Sequence, residues 1–173
     1  MIMKKVSILV STIDSGGAEK QAVLLAIQLS KHTDVNLIVL NGGHTEYKGN
    51  VDLLAESSVK VHRLNGSMLL KTIRIRELLK ESHTDVLLNY LTMPDFLGSF
   101  LGKRLRISVY NGIRNSRLPK SKMLMEKWAH NHWATATIYN CYSGADYFEK
   151  LGFRKDKNIV IPNCFPDRSE EHT

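Results

Sequence analysis

The sequence predicts an α/β fold: a Rossmann-like three-layer α/β/α domain around a mostly parallel sheet of about six to seven strands. Three observations predict it. Short apolar, β-branched runs recur at intervals of about 20–30 residues. They are apolar at both odd and even positions, the pattern of strands buried on both faces. Helix-length segments lie between most of them, and strands alternating with helices imply parallel strands joined by right-handed crossovers.

The predicted strands are Val6–Val10, Val35–Leu40, Val59–Leu64, Asp85–Tyr90, Ile107–Asn111, Thr137–Cys141 and Asn158–Ile161. The first helix, Ala18–His32, carries Ala22, Leu25, Ala26 and Leu29 at helical spacing. The next, Leu69–Ser82, carries Ile73, Leu78 and Leu79. Asp95–Arg104 follows Pro94 and Lys120–Trp133 follows Pro119, and proline suits a first helical turn. Ser143–Leu151 ends at Gly152, a residue type suited to the left-handed position beyond a helix. The domain is expected over 1–162, with 163–173, polar and proline-bearing, as the start of an interdomain linker or a disordered tail.

Composition narrows the partners. The 173 residues hold 24 Lys and Arg against 17 Asp and Glu, a formal charge of +7. The excess is local. Lys103, Arg104, Arg106, Arg114, Arg117, Lys120, Lys122 and Lys127 face one acid, Glu126, between Lys103 and Trp128, and the rest of the chain balances. A generally basic, nucleic-acid-coating protein is therefore excluded, and nucleic acid is not expected as a partner. No apolar run approaches the roughly 18–20 residues of a membrane span. Val6–Val10 is too short for a secretory leader. Cys141 and Cys164 make no disulfide framework, which suits a reducing compartment.

In a doubly wound sheet the ligand crevice lies at the carboxyl ends of the strands. That rule nominates the loops 11–17, 41–48, 89–94, 111–120 and 140–143. In the first, Gly16 and Gly17 let backbone approach a ligand, and free helix-start N–H groups suit a phosphate or carboxylate. The competing reading is a turn that needs positive φ. The loop is neither a dinucleotide fingerprint nor a phosphate-loop motif. In the fourth, Arg114 offers a fork for phosphate and Asn115 a hydrogen bond for a sugar hydroxyl; the competing reading is a solvated basic loop.

On the helix 120–133, Met125, Trp128, Ala129, His132 and Trp133 share one face by angle, opposite Lys120, Met123, Lys127, His130 and Asn131. Two readings compete. Lys120, Lys122 and Lys127 beside large apolar residues suit an anionic membrane surface. Alternatively the tryptophan face packs on the sheet and the lysines are solvated. His130 and His132 with Cys141 make a poor metal set, since residues two apart on a helix diverge. No metal site and no cofactor are expected.

The motifs, in order, resemble a known family. Ser15-Gly16-Gly17-Ala18-Glu19 after a buried strand is similar to the opening of the N-terminal domain of GT-B fold glycosyltransferases. The resemblance is to the retaining enzymes of capsule, exopolysaccharide and glycan assembly. Asn111–Arg117 resembles their fifth-strand loop, and Asn140-Cys141 stands where they carry Asn-Ser. Leu151-Gly152-Phe153 and Lys157–Asn163 resemble the segment that leads into their second domain, with Cys164-Phe165-Pro166-Asp167 in place of Gly-hydrophobic-Asp.

The resemblance implies an acceptor-side domain that helps transfer a hexose or N-acetylhexosamine from a nucleotide-sugar to a lipid-linked or polysaccharide acceptor, with retention and no obligatory metal. It implies substrate binding by Gly16, Gly17, Arg114 and Asn115. Arg114 falls near a position where many members carry a histidine, a role its permanent charge denies it, so the catalytic residues stay unassigned. The family's donor-binding half lies in a C-terminal domain. This chain is therefore expected to be inactive alone and to work with that domain or a partner subunit, in the cytoplasm and with peripheral contact to the inner membrane face. The alternatives are a non-catalytic binding subunit of a split glycosyltransferase, or a module for a phosphate ligand or nucleic acid.

Overall fold

The strands β1 (Val6–Val10) and β2 (Val35–Val39) are buried at every position, so they need cover on both faces. They receive it from a single parallel sheet of seven strands, completed by β3 (Lys60–Arg63), β4 (Val86–Tyr90), β5 (Ser108–Ile113), β6 (Ala136–Tyr139) and β7 (Asn158–Val160). The structure, a computed structural model, describes residues 4–113 and 118–162. Spatial order is β3-β2-β1-β4-β5-β6-β7. The order reverses between β1 and β4, where Val6 pairs Val86 and Val10 pairs Tyr90. The predicted Rossmann-like fold is what the chain adopts.

Two edge strands depart from the sequence reading. β3 exposes Lys60 and Arg63, and β7 exposes Ile159, so neither is buried on both faces. A short edge strand bearing Lys and Arg also discourages pairing with another chain.

Alternation along the strands sorts the core into layers. Ile8, Val10, Leu37 and Val39 point to one face, where α1 (Gly17–Ser30) brings Ala22, Val23 and Ala26 and α2 (Lys48–Ala55) brings Leu54. Leu9, Ile38, Leu87 and Val109 point to the other, where α3 (Met68–Glu81) brings Ile75, Leu78 and Leu79 and α4 (Thr92–Leu105) brings Leu101. Further along that second face, Ile113 and Tyr139 meet Met123 of α5 (Lys120–Trp128) and Phe148 of α6 (Tyr142–Lys150). Each fully buried Leu or Ile removed from water contributes about 1.5–3 kcal/mol. α6 ends as expected: Gly152 has φ 87°, and Phe153 N–H reaches the Phe148 carbonyl at 3.1 Å, closing the helix with a ring-on-ring contact.

Two local readings are corrected. α2 has no counterpart in the sequence reading: it is short, contains Gly49 and follows a polar stretch. The expected helix 120–133 is α-helical only to Trp128 and then widens into a π-turn, Ala129–Trp133, closed by the Ala134 N–H on the Ala129 carbonyl at 2.8 Å. The Lys157 ammonium caps that turn, donating to the carbonyls of His130, Asn131 and Ala134 at 2.9, 3.3 and 2.7 Å. The buried residues are Glu126, Ala129 and His130, while Leu124 and Trp128 remain 68% and 52% exposed. Of the two readings of this helix, the one in which the whole tryptophan face packs on the sheet is therefore not met at Trp128. A glutamate and a histidine go inward because each finds polar partners there; of the expected stripe Ala129 is buried and Trp133 packs edge-on against Phe96 and Phe100, while Trp128 and His132 are exposed.

Candidate functional site

Because every strand is parallel, all carboxyl ends open on one side, and the loops after β1, β2, β4 and β6 lie on that side, where such sheets form their crevice. The glycine loop enters it first. Gly16 is the N-cap of α1 with φ −63° and ψ 150°, and no side chain caps the helix start. Neither Gly16 nor Gly17 has positive φ, so the turn reading of these glycines is not the reason for them. A Cβ on Gly17 would meet nothing within 4 Å, and one on Gly16 would meet only the Glu19 side chain. The fold tolerates side chains here, and what glycine leaves is open space in front of the helix-start N–H groups.

The loop after β2 is tied down rather than open. Glu46 accepts from Arg63 at 2.7 and 3.0 Å, and Asn41 accepts from Lys71 at 2.8 Å. A groove of about 410 Å³ lies beside it, lined by Arg63, Lys71, Ile73, Arg74 and Glu77 among others. Arg63 pairs with Glu46, and Arg74 with Glu77 and Glu81, which neutralises most of its charge.

After β4 the backbone is strained. Leu91, the N-cap of α4, has φ 77°, a conformation that costs a non-glycine residue about 1–3 kcal/mol. It turns the chain so that Thr92 and Asp95 face the floor of the crevice. Leu91, Thr92, Asp95, Gly112, Ile113, Leu118 and Glu126 line a well of about 20 Å³, the size of one water or hydroxyl. Asp95 is fully buried and neither of its oxygens has a hydrogen-bond donor. Glu126 of α5 is 3% exposed and faces both Thr92 and Asp95. Burial, and then the Glu126 charge, hold Asp95 well above the usual carboxylate range. Burial likewise pushes Glu126 up to about 7.

Under the well, His130 is buried between the Thr137 hydroxyl at 2.8 Å and the Arg154 carbonyl at 3.0 Å. Burial lowers its pKa to about 4, so it is a neutral structural histidine. His132 instead stacks on Trp128 at the surface, 4.3 Å between ring centroids. The two histidines diverge, and the described residues contain no cluster of three or more metal-ligating side chains. After β6, Cys141 is the exposed N-cap of α6 and accepts from the Ser143 hydroxyl, which lowers the thiol pKa.

Of the predicted site residues, Gly16 and Gly17 lie in the crevice. Arg114 and Asn115 lie outside the described residues. Lys120 and Lys122 are exposed on α5, and Lys127 is half-buried on the same helix. Lys103, Arg104 and Arg106 are exposed at the far end of the sheet, where Arg104 covers the Phe100 ring. The sequence reading missed Asp95. For Glu126 one signal was present: it is the lone acid in the basic stretch.

Comparison with known proteins bears on this geometry. The profile of Glycosyltransferase Family 4 matches residues 15–167. Over 100 residues the chain is 34% identical to GalNAc-alpha-(1->4)-GalNAc-alpha-(1->3)-diNAcBac-PP-undecaprenol alpha-1,4-N-acetyl-D-galactosaminyltransferase of Campylobacter jejuni, spanning 51% of this chain and 26% of that one. Among solved structures, Anabaena Alr3699/HepE in complex with UDP-glucose superimposes with TM-score 0.78 at 16% identity, covering 94% of this chain and 44% of that one. The lipopolysaccharide outer core galactosyltransferase WaaB superimposes with TM-score 0.70 at 12% identity, covering 96% and 50%. The chain thus spans half the length or less of each, and the two structural likenesses speak to the fold alone. No helix among the described residues is long and apolar enough to cross a membrane. The profile match over most of the chain, on a sheet of this order, shows that the chain belongs to Glycosyltransferase Family 4 and forms an N-terminal Rossmann-like domain of the GT-B type.

Proposed function

We propose that this domain is the acceptor-binding half of a retaining glycosyltransferase that moves a hexose or N-acetylhexosamine from a nucleotide-sugar to a lipid-linked or polysaccharide acceptor. The observation that carries this reading is the family match over residues 15–167. The Campylobacter relative, whose name specifies an undecaprenol-linked glycan, supports the lipid-linked form of it. The crevice supplies what such a half needs. The uncapped start of α1 behind Gly16 and Gly17 offers N–H donors to a phosphate or sugar. Arg114 and Asn115 are assigned to the same substrate, and no step requires a metal. We assign the acceptor domain to 1–162, with 163–173, outside the described residues, as the start of an interdomain linker or a tail; without a donor half the domain does not turn over.

Peripheral membrane contact belongs to the same reading. Leu124 and Trp128 project outward on α5 beside Lys120 and Lys122, which favours the membrane surface over the packed-face alternative. The deciding experiment assays transfer from UDP-sugars to an undecaprenyl-diphosphate glycan, with the chain alone and with it joined to a family donor half. Turnover with retained anomeric configuration is expected only in the joined form. Turnover by the chain alone overturns the half-enzyme reading, and no turnover in either form removes its support.

A further inference from the structure

We propose that Asp95 and Glu126 share one proton across the α4–α5 interface and act as a proton-dependent latch that positions the crevice ends of β5 and α5. The inference rests on packing and charge, independently of the glycosyl-transfer reading.

Asp95 is 0% and Glu126 3% exposed, and the two carboxyls face each other across the well. As two carboxylates they are acceptors only, so neither can donate to the other, and neither Asp95 oxygen has a partner in good hydrogen-bond geometry. One proton placed between them converts that mutual repulsion into a charge-assisted hydrogen bond. Among the described residues nothing else near the pair performs that conversion. From α4 the neighbour is the Thr92 hydroxyl, and from β5 it is the Gly112 amide. From β6 it is the Tyr139 hydroxyl, buried without a partner and itself feeling the charge of both acids. Among the described residues, no lysine, arginine or histidine acts on either carboxyl, and His130 in the adjoining π-turn is committed to Thr137 and Arg154. Two buried carboxylates without a countercharge do not both ionise; the pair retains a proton and titrates as a unit.

The place of the pair gives the proton a consequence. Asp95 belongs to the first turn of α4, just past strained Leu91, and Glu126 lies on α5. Ile113 at the end of β5 and Leu118 before α5 line the same well. Holding α4 to α5 therefore fixes the end of β5 at Ile113 and the approach to α5 at Leu118. Loss of the shared proton leaves two like charges at that contact and frees α5 to move outward.

The test uses carbon-13 carboxyl NMR of the chain between pH 4 and 9, beside melting curves of wild type, Glu126→Gln and Glu126→Ala. One carboxyl of the pair is expected to stay protonated at pH 6. Relative to Glu126→Gln, whose amide supplies a permanent donor, wild type is expected to lose roughly 5–10 °C in midpoint as pH rises from about 4.5 through 7. Glu126→Ala is expected to melt lower at every pH. A wild-type spectrum with both carboxyls ionised by pH 5 overturns the proposal, as does an identical pH slope in wild type and Glu126→Gln. The wild-type titration decides even if a variant does not fold.

Discussion

The side-chain amide of Asn89 on β4 donates to the Oδ1 of Asn111 on β5 at 2.9 Å, and Ser99 of α4 donates to the same oxygen at 3.0 Å. Three buried polar groups thus bind strand to strand and strand to helix under the crevice. Their neighbour Gly98 leaves room for them: a Cβ at that position would fall inside the Asn89 amide. Gly98→Ala is therefore expected to destabilise by about 1–3 kcal/mol despite its better helix propensity. Urea unfolding measures this, and a stabilised variant would show that α4 can shift off the sheet.

The His130 pKa sets an acid limit. Its folded value, lowered to about 4, lies below the ordinary imidazole value of 6.5, so its stabilising contribution is complete above 6.5 and is lost as pH falls toward 4. Relative to a variant without this imidazole, the melting midpoint is expected to drop across that window. A His130→Ala variant strands the Thr137 hydroxyl and is expected to cost about 2–4 kcal/mol, with a flatter midpoint between pH 6.5 and 4.

Lys157 is expected to matter through the backbone. Its ammonium satisfies three carbonyls of the π-turn and its end. Lys157→Met keeps the stem and removes the donors, at an expected cost of about 1–3 kcal/mol. Amide exchange should quicken first in residues 129–134.

Gly17 separates folding from function. A side chain there enters open space, and leucine raises helix propensity by up to about 1 kcal/mol over glycine. Gly17→Leu is expected to melt at or above wild type, yet to lower transfer by the joined two-domain enzyme at least about tenfold through lost phosphate or sugar binding. Unchanged kcat/KM would remove the glycine loop from the site.

The lysines of α5 predict a salt-dependent membrane affinity. Lys120→Glu with Lys122→Glu is expected to weaken binding to vesicles containing phosphatidylglycerol by about fivefold or more per residue, at roughly 1 kcal/mol each. Equal, weak binding of wild type to neutral and anionic vesicles would return these residues to solvent.

The sheet was legible because burial on both faces writes itself as unbroken apolar runs, as in Val6–Val10 and Val35–Val39. Its edges were less so, since Lys60–Arg63 obeys its position and not its hydropathy. Of the candidate site, the topology rule and the adjacent glycines nominated the crevice. The floor was not legible. Helical angle sets His130 opposite Trp128 and leaves Glu126 unplaced, and the structure buries both His130 and Glu126 while Trp128 stays exposed. A buried acid is specified by another buried acid 31 positions away in the chain, and no local pattern encodes that meeting. The π-turn compounds the error, because one extra residue per turn shifts every side chain after Ala129 from its expected direction.

The central pairing of the sheet also governs how the chain reaches this state. Lys5 N–H donates to the Asp85 carboxylate at 2.8 Å across a sequence separation of 80 residues, and β1 docks on β4 from there. On a ribosome, the most apolar strand of the domain waits with one edge open until about half of the chain has emerged. Closing so long a loop carries its entropy cost before any packing offsets it, so assembly is slow and its early intermediates are prone to stick. Expression at low temperature, or with a chaperone that shields β1, is therefore expected to raise the soluble yield of this domain.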